Sequence, residues 1–209
     1  TYMQAIPGSA GLIVSDDAEI MARATMLSGS YMLYGRHRAA PPPEAFEGIR
    51  YDMPNISGRM DNLRAAVLRP QLRALEAQCA RWNARYAVMD AGLADCPGLT
   101  RIARPAKEAF VASSYQFLLL DWPDAAIRGV VDGCGARGVE LKWFGAPEPV
   151  AFTSTYRSWH YAQPAPMPAS DRILRAVMDM RLPLTFSLSD CALIARIIRD
   201  EVSTVFQAA

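Results

Sequence analysis

Lysine is nearly missing from this 209-residue chain: of its 22 basic residues only Lys107 and Lys142 are lysines, and the rest are arginines. Chemistry that needs a side-chain amine therefore has two candidates at most. Histidine is as scarce; His37 and His160 stand far apart, which excludes a histidine-based metal centre, and no metal site is expected. Cys79, Cys96, Cys134 and Cys191 form no CxxC pair and read as reduced structural thiols rather than a disulfide framework. No run of about 18 apolar residues occurs and no charged-then-apolar leader, so neither a membrane span nor a retained signal peptide is expected. The 22 basic and 21 acidic residues are dispersed and leave a net charge of +1, which excludes the electrostatic footprint of a nucleic-acid or anionic-membrane binder. These absences point to a globular cytoplasmic protein. The first residue is Thr1 rather than Met, so further residues are expected before it.

What is present is organised around residues 60–93. Leu68, Leu72, Leu75, Cys79, Trp82, Tyr86, Met89 and Leu93 recur at spacings of four and three, the pattern of one apolar stripe on a long helix. Asp61 is placed to cap its first turn, and Pro70 removes a backbone donor inside it, so a kink or break is expected there. Such a helix bridges two bodies of structure or lines a subunit interface. It says nothing by itself about chemistry.

Ahead of it, residues 12–14 read as a short buried strand. A helix follows with Asp16 or Asp17 as cap, Ile20, Met21, Ala24 and Leu27 inward, and Gly29 as stop. Gly8 and Gly11 lack the partners of a phosphate loop. Residues 30–58 form a long irregular connection in which Tyr31, Tyr34, Arg36, His37, Arg38, Tyr51, Asn55 and the following Arg59 would together suit an anionic pocket, although each alone is an ordinary loop residue. After the long helix the expectation is a strand at 99–102, a strand at 113–121, a helix at 123–137 closed by Gly138, and a strand at 139–144. A second long loop at 145–169 carries Phe152, Tyr156, Trp159 and Tyr161, aromatics suited to plugging a seam between domains. It leads to a helix at 170–180 capped by Ser170, a strand at 182–186, and a last helix capped by Ser187 or Ser189 with Leu193, Ile194, Ile197, Ile198 and Val202 inward. Alternating strands and helices make the class α/β. Residues 1–59 would be the tail of one domain, 60–95 the bridge, and 96–209 a small second domain.

The order of segments resembles the DegT-type aminotransferases, fold-type I enzymes that depend on pyridoxal phosphate. Thr1-Tyr2-Met3, Gly8-Ser9-Ala10-Gly11, Leu12-Ile13-Val14 and Ser15-Asp16-Asp17 stand in the register of the family's Thr-Tyr-Lys, Gly-Glu-Gly-Gly, hydrophobic strand and Thr-Asp-Asp. Arg59-Met60-Asp61-Asn62-Leu63-Arg64-Ala65-Ala66 with Gln71-Leu72 is similar to the family's Arg-Met signature. The strand ending at Asp121, the Arg137-Gly138-Val139 step and Leu182-Pro183-Leu184 follow in the family's order. The resemblance covers essentially the whole chain but only half of a family enzyme.

It implies the C-terminal part of a pyridoxal-phosphate-dependent transferase fold: the end of the large domain, a long bridging helix and a small α/β domain. The implied activity is transfer of an amino group from glutamate or glutamine to a keto-sugar or related cyclic ketone. The position of the lysine that holds the cofactor is Met3, whose thioether forms no imine, and Lys107 and Lys142 read as surface lysines. Ser57 stands where the family usually has the Asn that reaches across the dimer interface toward the cofactor phosphate, Asn55 would serve in its place with Arg59 as an auxiliary contact, and Tyr34 and Trp143 are the candidates to face substrate. The implied partner is a second aminotransferase-type subunit, in a homodimer or heterodimer, or the other half of the enzyme. A catalytically silent paralogue that keeps the fold and dimer surface stays open as an alternative, as does an unrelated α/β binding module.

Overall fold

The computed structural model describes residues 13–29, 31–54, 56–148 and 165–208. The chain divides into two compact units, Thr1–Leu75 and Glu76–Ala209. That boundary falls inside the segment expected to be a single bridge.

In the first unit, helix α1 (Ala18–Leu27) starts where Asp17 accepts the N–H groups of Glu19 and Ile20, and Gly29, at φ 92°, ends it in the left-handed region. Its inward face differs from the expected one. Ala22, Thr25 and Met26 are buried, whereas Ile20 is 50% exposed and Met21, Ala24 and Leu27 are half-buried. The partners decide the face, because Ala22 and Met26 close a small core with Phe46 and Ile49. Thr25 is tolerated there because its hydroxyl donates to the Met21 carbonyl at 2.8 Å. Ile13 and Val14, expected in a buried strand, are exposed, and no described strand pairs with them. The irregular connection contains two 3-10 turns, Tyr31–Arg36 and Pro43–Phe46.

The long helix is two helices, α2 (Asn62–Arg73) and α3 (Leu75–Gly92). Asp61 caps α2 as expected, accepting the Arg64 N–H at 2.8 Å. Pro70 is accommodated within α2 and the break comes at Ala74, whose N–H turns to the Pro70 and Gln71 carbonyls in a tightened last turn. The apolar stripe is correspondingly interrupted: Leu68, Trp82, Met89 and Leu93 are buried, but Leu72 is exposed.

The second unit is built on a four-stranded sheet of β1 (Thr100–Arg101), β2 (Ser114–Leu118), β3 (Lys142–Trp143) and β4 (Val177–Arg181). Its order is β1-β2-β4-β3, with every neighbouring pair antiparallel. Alternation along the strands turns Tyr115, Phe117, Trp143, Met178 and Met180 into a core shared with Met89 of α3 and Leu93 just after it, with Ile127, Val130 and Cys134 of α4 (Asp124–Ala136), and with Cys191, Ile198 and Val202 of α6 (Leu188–Ala208). On the other face Gln116, Asp179 and Lys142 stand in one register row.

The expected helix at 170–180 is corrected. Helix α5 runs Pro168–Ala176, starting on a proline rather than a Ser170 cap, and the chain then enters β4, the strand paired on both sides. Residues 182–186 form no strand. Leu182 donates to the Ser113 carbonyl and the chain turns, Phe186 donating to Pro183. Helix α6 opens with a reciprocal cap, the Asp190 N–H on the Ser187 hydroxyl and the Ser187 N–H on the Asp190 carboxylate. The Ser187 backbone N–H, with a smaller contribution from the Ser187 side chain, holds the Asp190 carboxyl below its ordinary value. Leu193, expected inward on this helix, is exposed. The aromatics Phe152, Tyr156, Trp159 and Tyr161, with His160, lie outside the described residues.

Candidate functional site

Two of the expected site residues, Met3 and Asn55, lie outside the described residues. The others separate. Ser57 and Arg59 belong to a turn of the first unit that is seated on the end of α1. The Gly58 N–H donates to the Leu27 carbonyl at 2.9 Å, and Arg59 Nη1 reaches the Ser28 and Gly29 carbonyls at 3.4 and 3.5 Å. Ser57 is exposed and sits at φ 51°, a conformation that costs a serine energy and persists only where the surroundings hold it.

Tyr34 is half-buried and stacked on Phe46, with ring centroids 4.1 Å apart and planes inclined by 16°. Its hydroxyl takes a hydrogen bond from Arg50, which raises the guanidinium above its ordinary value, and Arg50 also lies 5.0 Å over the Tyr51 ring. Arg50 Nε is buried with no hydrogen-bond partner. Arg50 was not among the candidates drawn from the sequence; its adjacency to Tyr51 was the one available signal. Arg36, His37 and Arg38 are exposed, and His37 Nδ1 accepts the Ala39 N–H.

Trp143 is corrected from a substrate-facing residue to a core residue of the second unit. It is 5% exposed, its indole N–H donates to the Arg175 carbonyl at 2.7 Å, and Arg128 stacks above it. The second unit does hold a cavity of about 640 Å³ with Leu119, Trp122, Ile127 and Phe144 in its wall. Two ion pairs stand on its rim, Arg172 with Asp121 at 2.8 Å and Arg175 with Asp124 at 2.7 Å. The Arg172 guanidinium holds the Asp121 carboxyl below the usual carboxylate range.

With this geometry in hand, comparison decides the family. The sequence profile of the DegT/DnrJ/EryC1/StrS aminotransferases matches residues 5–199. The chain belongs to that family. No curated protein matches it significantly. Among solved structures it is similar to 3-amino-5-hydroxybenzoic acid synthase, at 19% identity and TM-score 0.61, with 87% of this chain and 47% of that one covered. It is also similar to a DegT DnrJ EryC1 StrS aminotransferase from Brucella abortus, at 18% identity and TM-score 0.58, covering 89% and 44%. The aminotransferase TlmJ from Streptoalloteichus hindustanus aligns at 17% identity and TM-score 0.59, covering 81% and 47%. The chain therefore spans under half the length of the structures it matches, and at these identities they establish the fold.

DegT-family aminotransferases are generally pyridoxal-phosphate-dependent, and the described residues fit that group in part. The Ser57 turn is exposed, and its backbone is fixed by the Gly58–Leu27 hydrogen bond. Among the described residues no amine is arranged for covalent attachment: Lys107 sits in an exposed turn, and Lys142 is a strand residue in register with the buried Asp179. No described helix is long and apolar enough to cross a membrane.

Proposed function

We propose that these residues are the C-terminal part of a pyridoxal-phosphate-dependent aminotransferase that carries an amino group from glutamate or glutamine to a keto-sugar or related cyclic ketone, and that activity belongs to a two-subunit assembly. The observation that carries the reading is the family match over residues 5–199, joined to a seated turn at the family's phosphate-contact position. When bound, the cofactor supplies the electron sink and carries the amino group. This chain's part is to bind and orient. Ser57 and Asn55 contribute to holding the phosphate, and Tyr34, its ring fixed by Phe46 and Arg50, is offered toward substrate.

One observation favours a second reading. Met3 stands where the family's lysine belongs, and without that amine the cofactor is neither tethered nor served by a proton shuttle at that position. A catalytically silent subunit paired with an active copy would keep the fold and lose only this group. Borohydride treatment of the complete assembly with pyridoxal phosphate, followed by peptide mapping, separates the two. The aminotransferase reading requires, at the site this chain builds, a reduced adduct on a lysine and a visible absorption band before reduction. If the only adduct is the active copy's own, and this chain's site gains one only when Met3→Lys is introduced, the silent-subunit reading holds. If Met3→Lys also fails to trap the cofactor, both fall.

A further inference from the structure

At the end of helix α1 the Ala24, Thr25 and Met26 carbonyls are met by Ser28 and Gly29. The Leu27 carbonyl, and those of Ser28 and Gly29 just beyond the helix, are met by residues 57–59. Gly58 donates to Leu27 at 2.9 Å, and one nitrogen of Arg59 straddles the Ser28 and Gly29 carbonyls. A cation at this end of a helix is also favoured by the helix dipole. The seat is close, since a Cβ added to Gly58 would lie 3.3 Å from the Leu27 oxygen. Immediately before it, Ser57 is held at φ 51°.

We propose that Arg59 is a positioning residue: its guanidinium latches the Ser57 turn to the end of α1 and so sets how that turn meets an anionic group, without touching the anion. That an anion, the cofactor phosphate, meets this turn rests on the reading of the protein as a pyridoxal-phosphate enzyme; the latch itself rests on the contacts above.

The test uses the complete protein that carries these residues and two readouts. One is hydrogen exchange at the Gly58 amide. The other is the gain in affinity for pyridoxamine phosphate over pyridoxamine. Arg59→Leu speeds Gly58 exchange and cuts the phosphate gain together, each by about two- to fivefold, the scale of an exposed cation at a helix end. Arg59→Lys keeps a cationic donor of nearly the same reach and recovers part of both. Gly58→Ala, with Arg59 intact, presses on the Leu27 carbonyl and lowers the phosphate gain. The latch is refuted if Arg59→Leu leaves Gly58 exchange unchanged; a phosphate gain that falls in that variant while Gly58 stays protected would mark direct contact with the anion. Should the wild-type protein not distinguish the two amines, the cofactor reading fails, and Gly58 exchange in Arg59→Leu still decides the latch.

Discussion

Replacing Arg85 by methionine should cost the second unit about 2–4 kcal/mol. Arg85, on α3, is only 9% exposed and has no carboxylate among its hydrogen-bond partners. Its guanidinium donates instead to three backbone carbonyls: Phe186 at 2.8 Å, Arg81 at 2.8 Å and Leu184 at 3.0 Å. Two of these belong to the turn between β4 and α6, so one side chain ties α3 to residues about a hundred positions away. Hydrogen bonds from a charged donor are worth about 1.5–3 kcal/mol each, and a carbonyl left unpaired costs about 1–3. The sum is discounted because the sites are partly buried and water can replace some of the loss. Methionine keeps the stem's packing and removes only the fork. Arg85→Lys keeps the charge, but a single ammonium cannot reproduce the planar fork, and it should recover less than half of the loss. Urea unfolding followed by near-ultraviolet circular dichroism measures the difference. Burial pushes the Cys191 thiol up and Arg85 pulls it partly back, so the methionine variant should also make Cys191 harder to ionise. A methionine variant within about 0.5 kcal/mol of wild type, the scale of an ordinary surface change, would refute the argument.

Four shorter expectations accompany it. Tyr115 is fully buried and its hydroxyl donates to Asp90 at 2.9 Å, while Arg101 holds the other carboxylate oxygen at 2.8 Å; Tyr115→Phe should cost about 1.5–3 kcal/mol in the same urea experiment, and a neutral result would show that the bond is idle. Gly98 has φ 78°, and a Cβ there would meet the Phe206 and Trp122 rings at 2.5 and 2.6 Å, so Gly98→Ala should lower stability by about 2 kcal/mol or more, and an unchanged unfolding midpoint would argue against the close approach. In a native titration with Ellman's reagent only the half-buried Cys79 should react promptly, since Cys96, Cys134 and Cys191 are buried. Burial pushes the Cys134 thiol up from 9.0 to about 12; the unfolded chain therefore releases this proton first, and stability should fall as pH rises from 9 toward 12, by about 1.4 kcal/mol per pH unit. Equal urea midpoints at pH 8.5 and 10.5 would contradict that sign.

Features that a few neighbouring residues settle among themselves were legible in the sequence. The Asp17 and Asp61 caps, the Gly29 and Gly138 stops and the start of α6 at Ser187 need only the chemistry of one turn. Strand β4 was not legible, because the apolar residues of 173–182 satisfy a helical period as well as alternation. Pairing with β2 from Ser114 to Leu118 decides between the two, and that partner lies some sixty residues away. The same limit explains the sites. The Ser57–Arg59 turn was found through its motif, but its seat on α1 was not visible. Trp143 was misread because an indole at the mouth of a loop looks like a ligand contact, and nothing local reveals its bond to the Arg175 carbonyl.

The two units differ in how well they bury their own apolar residues, and the difference bears on the site. The second unit closes a core through three helices and a sheet. The first, among the described residues, closes one around Ala22, Met26, Phe46 and Ile49, while Ile13, Val14, Ile20, Leu33, Tyr51, Ile56, Leu63 and Leu72 stay exposed. A partner or further chain that covers this exposed apolar surface would add stability by mass action. The Ser57 turn rides on this unit, and Ile56 directly precedes it. If the proposed assembly is right, subunit association and phosphate affinity are therefore linked. Dilution that dissociates the subunits should weaken pyridoxamine phosphate binding even where the Arg59 latch is intact, and an affinity independent of protein concentration across the dissociation range would separate the site from the assembly.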